Sequence, residues 1–223
     1  MFASLFSAHR LCDLRASETQ SPASLRNPNS GFRISAAFTL IEMLVVIAII
    51  AVLVGLAFPV IGSALERAHR AEAKNTITQV TTAVNALFAE YGKYPLKSGA
   101  TGDSEYGADN DELFNVLRGY ASSGYQGSLN PRQIQFLQVR VAANQSQPRN
   151  GLGGGVYYDP WGSPYHIKMD GDYDGKVGNP YATGAGYDPI EQGCIAWALG
   201  KDQKGGSGDK SKGDAADDVI SWQ

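Results

Sequence analysis

Residues 38–61 are apolar and carry one charged side chain, Glu42, near the start of the run. Roughly 20 apolar residues at about 1.5 Å rise cross a bilayer core as a helix. A carboxylate inside such a run costs about 2.5–3.5 kcal/mol at its centre and less near an end. The run therefore sets two constraints. The first half of the helix has nothing soluble to pack against, and Glu42 needs a partner that offsets its burial in hydrocarbon. An ordinary signal anchor with a stray acid is the plainer alternative.

Residues 1–37 are rich in Ser, Arg, Ala, Asn and Pro and show no apolar periodicity, so they read as a targeting leader rather than as fold. Arg10, Arg15, Arg26 and Arg33 against Asp13 and Glu18 give the leader a net charge of +2; removing it from the whole-chain −3 leaves −5. Arginines ahead of an apolar run favour the cytoplasmic side for that end. The remainder is mildly acidic, with no basic patch that would point to nucleic acid. Of the two cysteines, Cys12 lies in the leader and Cys194 is left alone. An intramolecular disulfide is then impossible, and packing or a bound ion must hold the fold. About 160 residues remain beyond the apolar run, enough for one small domain.

Beyond Pro59, which is expected to kink the helix, the pattern turns amphipathic. Leu65, Ala68, Ile77, Val80, Val84, Leu87, Phe88 and Tyr91 recur at three- and four-residue steps, with Glu66, Arg67, Arg70, Glu72, Lys74 and Glu90 largely between them. One helix from about Phe38 to Tyr91 is expected, ending at Gly92 with Pro95 just beyond, and with His69 as a solvated surface residue. Residues 96–108, 124–127 and 142–155 read as loops. Asp109 or Asp111 is expected to cap a short helix reaching about Tyr120, and residues 134–139 to form a short packed segment. Strands are expected near 156–159, 164–169, 175–178, 193–199 and 218–222, with Trp161 anchored in the core and His166 facing outward. The fold class is α+β: a long N-terminal helix packed against a small antiparallel sheet.

Two acidic stretches are candidate ion sites. Asp170, Asp172 and Asp174, followed by Gly175, have the D-x-D-x-D-G spacing that opens an EF-hand calcium loop. The twelfth loop position is Tyr181 rather than a bidentate Glu, and an acidic turn joining residues 165–169 to a strand near Val177 explains the same residues. The second stretch is the Gly-rich loop after Gly200, which buries little and cannot hold itself. Carboxylates drawn to one cation would close it; a solvated acidic loop is the alternative. His69 and His166 are the only histidines beyond the leader, and no nucleophile–base set, phosphate loop or zinc spacing is present, so an enzyme is not expected.

Phe38-Thr39-Leu40-Ile41-Glu42-Met43-Leu44-Val45-Val46-Ile47 resembles the N-terminus of the type IV pilin superfamily. The resemblance implies that a prepilin peptidase cuts between Ala37 and Phe38 and methylates the new amino group of Phe38. The family usually has Gly where this chain has Ala37. Cleavage would place an ammonium about one helical turn from Glu42, and in a filament Glu42 of one copy would face the Phe38 ammonium of a neighbour. Tyr94-Pro95, Asp159-Pro160-Trp161-Gly162 with Pro164-Tyr165, and Leu199-Gly200-Lys201-Asp202 running on to Asp218 and Trp222 resemble the G-type major pseudopilin of type II secretion systems.

That resemblance implies calcium held by Asp202 and Asp218, then Asp217, with the Leu199 carbonyl and Ser207 contributing; Asp170, Asp172 and Asp174 form the weaker alternative. Asp209 and Asp214 lie in a linker that departs from the family spacing. The implied organisation is a cleaved leader (1–37), a transmembrane and assembly helix (38–61), its amphipathic continuation (62–94) and a head (95–223). The implied role is a filament subunit anchored in the bacterial inner membrane with its head in the periplasm. Its partners would be further copies of itself, other pseudopilins, prepilin peptidase, and an assembly platform with its ATPase. A type IV pilin for adhesion, motility or DNA uptake, and a membrane-tethered calcium-binding module, are the alternatives.

Overall fold

The structure, a computed structural model, describes residues 38–121, 124–205 and 208–223. It divides into two units between Ile50 and Ala51. In the first unit the described residues are the start of helix α1, which runs Leu40–Tyr91. The large apolar side chains of this start, among them Leu40, Ile41, Ile47 and Ile50, are exposed.

In the second unit α1 continues to the end expected from sequence. Gly92 adopts φ +67 and its N–H closes onto the Phe88 carbonyl at 2.7 Å, a left-handed stop that glycine makes without a Cβ penalty. Pro59 lies within α1 and supplies no N–H to its ladder; Leu40–Leu56 and Ile61–Tyr91 are the arms on either side of it. Neither arm alone is long and apolar enough to cross a membrane; the pair is so by length and composition.

Along the second arm the dry stripe is Ala73, Ile77, Val80, Ala83, Val84 and Leu87, all buried. Leu65 and Ala68, expected in that stripe, are exposed, because the side chains that cover α1 begin to bury it only at Ala73. The head contributes β1 (Ser104–Tyr106), α2 (Asp111–Leu117), α3 (Gly124–Leu129), β2 (Gly151–Gly153), β3 (Val156–Tyr158), β4 (His166–Met169), β5 (Cys194–Ala198) and β6 (Val219–Ile220). One antiparallel sheet has the order β1-β4-β5-β6, and β2 pairs with β3 in a separate hairpin.

β5 explains the continuous apolar run that marked it in the sequence. Its five residues are all buried, Cys194, Ala196 and Ala198 toward the cluster that includes α1 and Ile195 and Trp197 toward a second cluster with Val177, Tyr181, Ile190, Ala215 and Ile220. A strand covered on both faces has no polar alternation to show. Trp161 is in the first cluster, as expected, with its Nε1–H toward Glu66 Oε2 at 3.3 Å. His69 is half-buried rather than solvated, with its ring edge-to-face to Trp161 at 6.1 Å. His166 is half-buried and stacks on Trp197 at 5.1 Å.

Several local expectations are corrected. Residues 175–178 are not a strand beside β4. Val177 exchanges backbone hydrogen bonds with Ile190, and the neighbours of β4 are β1 and β5. β1 lies within a stretch read as loop, since three residues flanked by Gly and Asp give too short an alternation to detect. β2 also lies in a stretch whose sequence reads as loop. Its glycines serve close packing instead: a Cβ on Gly151 would lie 2.7 Å from the Ala142 nitrogen. α3 begins within the expected 124–127 loop.

The N-cap of α2 is Asn110, not Asp109 or Asp111, and its side chain makes no cap bond. Fully buried, it donates to the Tyr157 and Tyr165 carbonyls and accepts the Tyr157 N–H, tying β3 to the segment entering β4. Residues 134–139 pack without regular structure, the Phe136 and Leu137 N–H groups sharing the Leu117 carbonyl. Lys74 on α1 reaches the carbonyls of Ile220, Ser221 and Gln223, fastening the end of β6 to the helix.

Candidate functional site

Two places carry the chemistry, one in each unit. At the N-terminus, Ala37 lies outside the described residues, and Phe38 is exposed just ahead of α1. Thr39 and Glu42 form a reciprocal cap. The Glu42 N–H donates to Thr39 Oγ1 at 3.2 Å, and the Thr39 N–H and hydroxyl both lie 3.3 Å from Glu42 Oε2. This capping box satisfies amide groups that a helix start otherwise leaves open. The sequence carries the signal for it, Thr followed three residues on by Glu, and this cap is a role for Glu42 separate from any ion pair.

The second place is built where β5 ends. After Leu199, which is half-buried, the chain turns at Gly200 with φ +71. A Cβ there would lie 2.6 Å from the Asp217 carbonyl oxygen and 2.7 Å from its Cγ, so glycine is what lets Asp217 close on the turn. Asp217 Oδ2 accepts the N–H groups of Lys201 (2.6 Å) and Asp202 (3.1 Å), and Asp202 Oδ1 accepts that of Lys204 at 2.9 Å. A 3₁₀ turn, Gly213–Asp217, delivers Asp217, and Asp218 follows it in extended conformation at the entry to β6. One carboxylate oxygen from each of Asp202, Asp217 and Asp218 falls within 4.8 Å of the others.

Asp218 differs from its neighbours in burial, at 5% exposed. Its Oδ2 accepts the Tyr181 hydroxyl at 2.7 Å, whereas its Oδ1 is buried with no hydrogen-bond partner. Burial pushes its pKa up to about 6; the Tyr181 hydrogen bond works against that shift and the charges of Asp217 and Asp202 add to it. A buried oxygen left unsatisfied costs about 1–3 kcal/mol, more if charged. An anionic, oxygen-only set with one such oxygen fits a hard divalent cation. Of the other expected contributors, Ser207 lies outside the described residues. Asp209 is occupied by the Ser211 N–H and by Lys212, and Asp214 lies 3.7 Å from Lys204. Neither joins the group.

The D-x-D-x-D-G stretch is arranged differently from its sequence expectation. The carboxylates that converge within 4.8 Å are Asp103, Asp170 and Asp172; Asp174 instead accepts the Lys176 N–H at 2.8 Å. Asp103 comes from just ahead of β1, far from the motif in sequence, and no local pattern announces it.

Residues 33–58 match the family model for the prokaryotic N-terminal methylation motif. No curated protein and no solved structure matches the chain. The motif implies processing by prepilin peptidase and assembly into filaments, and together with the apolar helix it marks membrane anchoring. It places the N-terminal segment in the type IV pilin-like and pseudopilin class, whose members are structural subunits of pili or pseudopili.

Proposed function

We propose that the chain is the major structural subunit of a type II secretion pseudopilus, waiting in the inner membrane and added by its apolar helix to a growing periplasmic filament. The observation that carries this is the state of α1: beside a methylation motif, its large apolar side chains from Leu40 to Leu56, with Phe58 and Ile61, stay uncovered. Such a surface needs lipid or the same helix of other copies. Cleavage between Ala37 and Phe38 frees an ammonium near Glu42, and a neighbouring subunit's Phe38 ammonium is then the counter-ion that sets register. Filament growth would push exported proteins toward the outer membrane, with an ATPase supplying the work.

Asp202, Asp217 and Asp218 hold calcium in this reading, with the Leu199 carbonyl and Ser207 as further ligands. Bound calcium supplies positive charge and oxygen-seeking coordination. The chain's own part is to bring the three carboxylates to one point and keep the Asp218 Oδ1 free of other partners. The Asp-Pro-Trp-Gly turn and this acidic group favour a pseudopilus over a type IV pilus.

The capping box makes the Glu42 test sharper. Glu42→Gln keeps an acceptor for the Thr39 N–H and loses the charge; Glu42→Ala loses both. Both variants are expected to insert in membranes and to give few filaments in cells. Normal filament yield from Glu42→Gln would leave Glu42 only its capping role. Deleting the gene is expected to stop protein export across the outer membrane and leave surface motility unchanged; the reverse pattern would assign the chain to a pilus.

A further inference from the structure

We infer that Tyr181 is the positioning residue of the acidic group, reserving Asp218 Oδ1 as the oxygen that the carboxylate offers to a divalent cation. The inference rests on the metal reading above and adds a residue that lies outside the Leu-Gly-x-Asp loop. A phenol has one proton to give. Tyr181 gives it to Asp218 Oδ2 at 2.7 Å, and the opposite oxygen, Oδ1, is left buried and unpartnered in a carboxylate that meets those of Asp202 and Asp217. A carboxylate held in this way binds through one oxygen, with its plane fixed from behind.

Tyr181 is itself fixed. It is 2% exposed, in the cluster that includes Ile190, Trp197, Ala215 and Ile220. Its N–H donates to Asn179 Oδ1 at 3.0 Å, and Asn179 Nδ2 reaches the Ala185 and Tyr187 carbonyls. The next two residues are sewn to the Gly-rich loop: the Ala182 N–H donates to the Gly208 carbonyl at 3.1 Å and the Lys210 N–H to the Thr183 carbonyl at 2.9 Å. Residues 179–183 are thus held in place on both sides of Tyr181, and its phenol is the part of the segment that reaches Asp218.

The test is calcium titration by calorimetry of the full processed chain in detergent, comparing wild type with Tyr181→Phe, which keeps the ring and deletes the hydroxyl. The same variants are read with terbium, whose third charge keeps weakened sites measurable. Partners behind a metal ligand are worth about 10–100-fold in affinity, and a loss in that range is expected. In an Asp218→Ala background, Tyr181→Phe is expected to cause no further loss, because the phenol acts through that carboxylate. An unchanged Kd in Tyr181→Phe overturns the positioning role, as does an equal further loss in the Asp218→Ala background, which would mean a general effect on the fold. A wild-type chain that takes neither ion overturns the metal reading itself and the role of Tyr181 with it.

Discussion

The two acidic clusters of the head have the same composition and opposite internal states. Each brings three carboxylates within 4.8 Å. In the Asp103–Asp170–Asp172 cluster the buried member, Asp170, has both oxygens occupied: Oδ1 faces the Asp174 N–H at 3.3 Å and Oδ2 accepts the Gly175 N–H at 2.8 Å. Asp103 accepts the Gly178 N–H and lies 3.6 Å from Lys168. Asp172, exposed, is shifted upward by desolvation, by its hydrogen bond with Asp170 and by the charge of Asp174. In the Asp202–Asp217–Asp218 cluster the buried member keeps one oxygen with nothing to bind. The stretch that looks more like a calcium loop in sequence has wrapped its own backbone around its first carboxylate. The stretch with the poorer pattern has left an oxygen waiting. Spacing says which acids can meet, and hydrogen-bond accounting says which of them still need something.

The largest expected effect tests that contrast directly. Asp218→Ala should weaken calcium binding by about 100-fold or more and remove most of the calcium-dependent rise in melting temperature, a linkage worth about 2.7 kcal/mol at a hundredfold excess over Kd. Asp172→Ala should leave both unchanged. The opposite outcome would move the ion to the D-x-D-x-D-G turn.

Asp159 supplies a control, because it too has a buried unpartnered oxygen, Oδ2, but belongs to neither acidic group. Its Oδ1 accepts the N–H groups of Trp161, Gly162 and Ser163. Burial raises its pKa from 3.8 to about 6, the backbone donors opposing the shift. The folded-state value lies above the unfolded one, so the unfolded chain releases this proton first as pH rises. Asp159 thus contributes stability at low pH that is lost between about pH 4 and pH 6, up to about 3 kcal/mol. Asp159→Asn should flatten the pH dependence of the chelator-treated melting temperature over that window. An unaltered profile would show that an orphaned oxygen does not by itself make a strained acid here.

The smallest effects separate the two turns. Gly200→Ala must meet the Asp217 backbone and adopt a positive φ, and should cost about 2 kcal/mol as well as weaken calcium binding. Gly175, with φ +80, has open space around a Cβ, so Gly175→Ala should cost only about 1 kcal/mol. Equal losses in chemical denaturation would mean that the Asp217 contact yields easily.

Much of the fold was legible because it is written locally. The apolar run, the stop at Gly92, the buried Trp161, and β3 to β6 within a few residues all follow from periodicity, glycine and proline placement, or aromatic character. What could not be read depends on partners far away. β1 is a strand because β4 lies beside it, and Asn110 leaves its capping duty because two distant carbonyls claim its side chain. At the acidic loop, the family resemblance points to Asp202, Asp217 and Asp218, but not to their inequality.

By itself, the sequence determined that this chain has an apolar helix with one acid near its start, a methylation motif, and a head without a disulfide. These are matters of composition and short-range spacing. The tertiary structure decided which acid is fed by its own backbone and which is left short. Tyr181 meets Asp218 across 37 residues and Asp103 meets Gly178 across 75, and only the folded chain brings such donors within 3 Å of their acceptors.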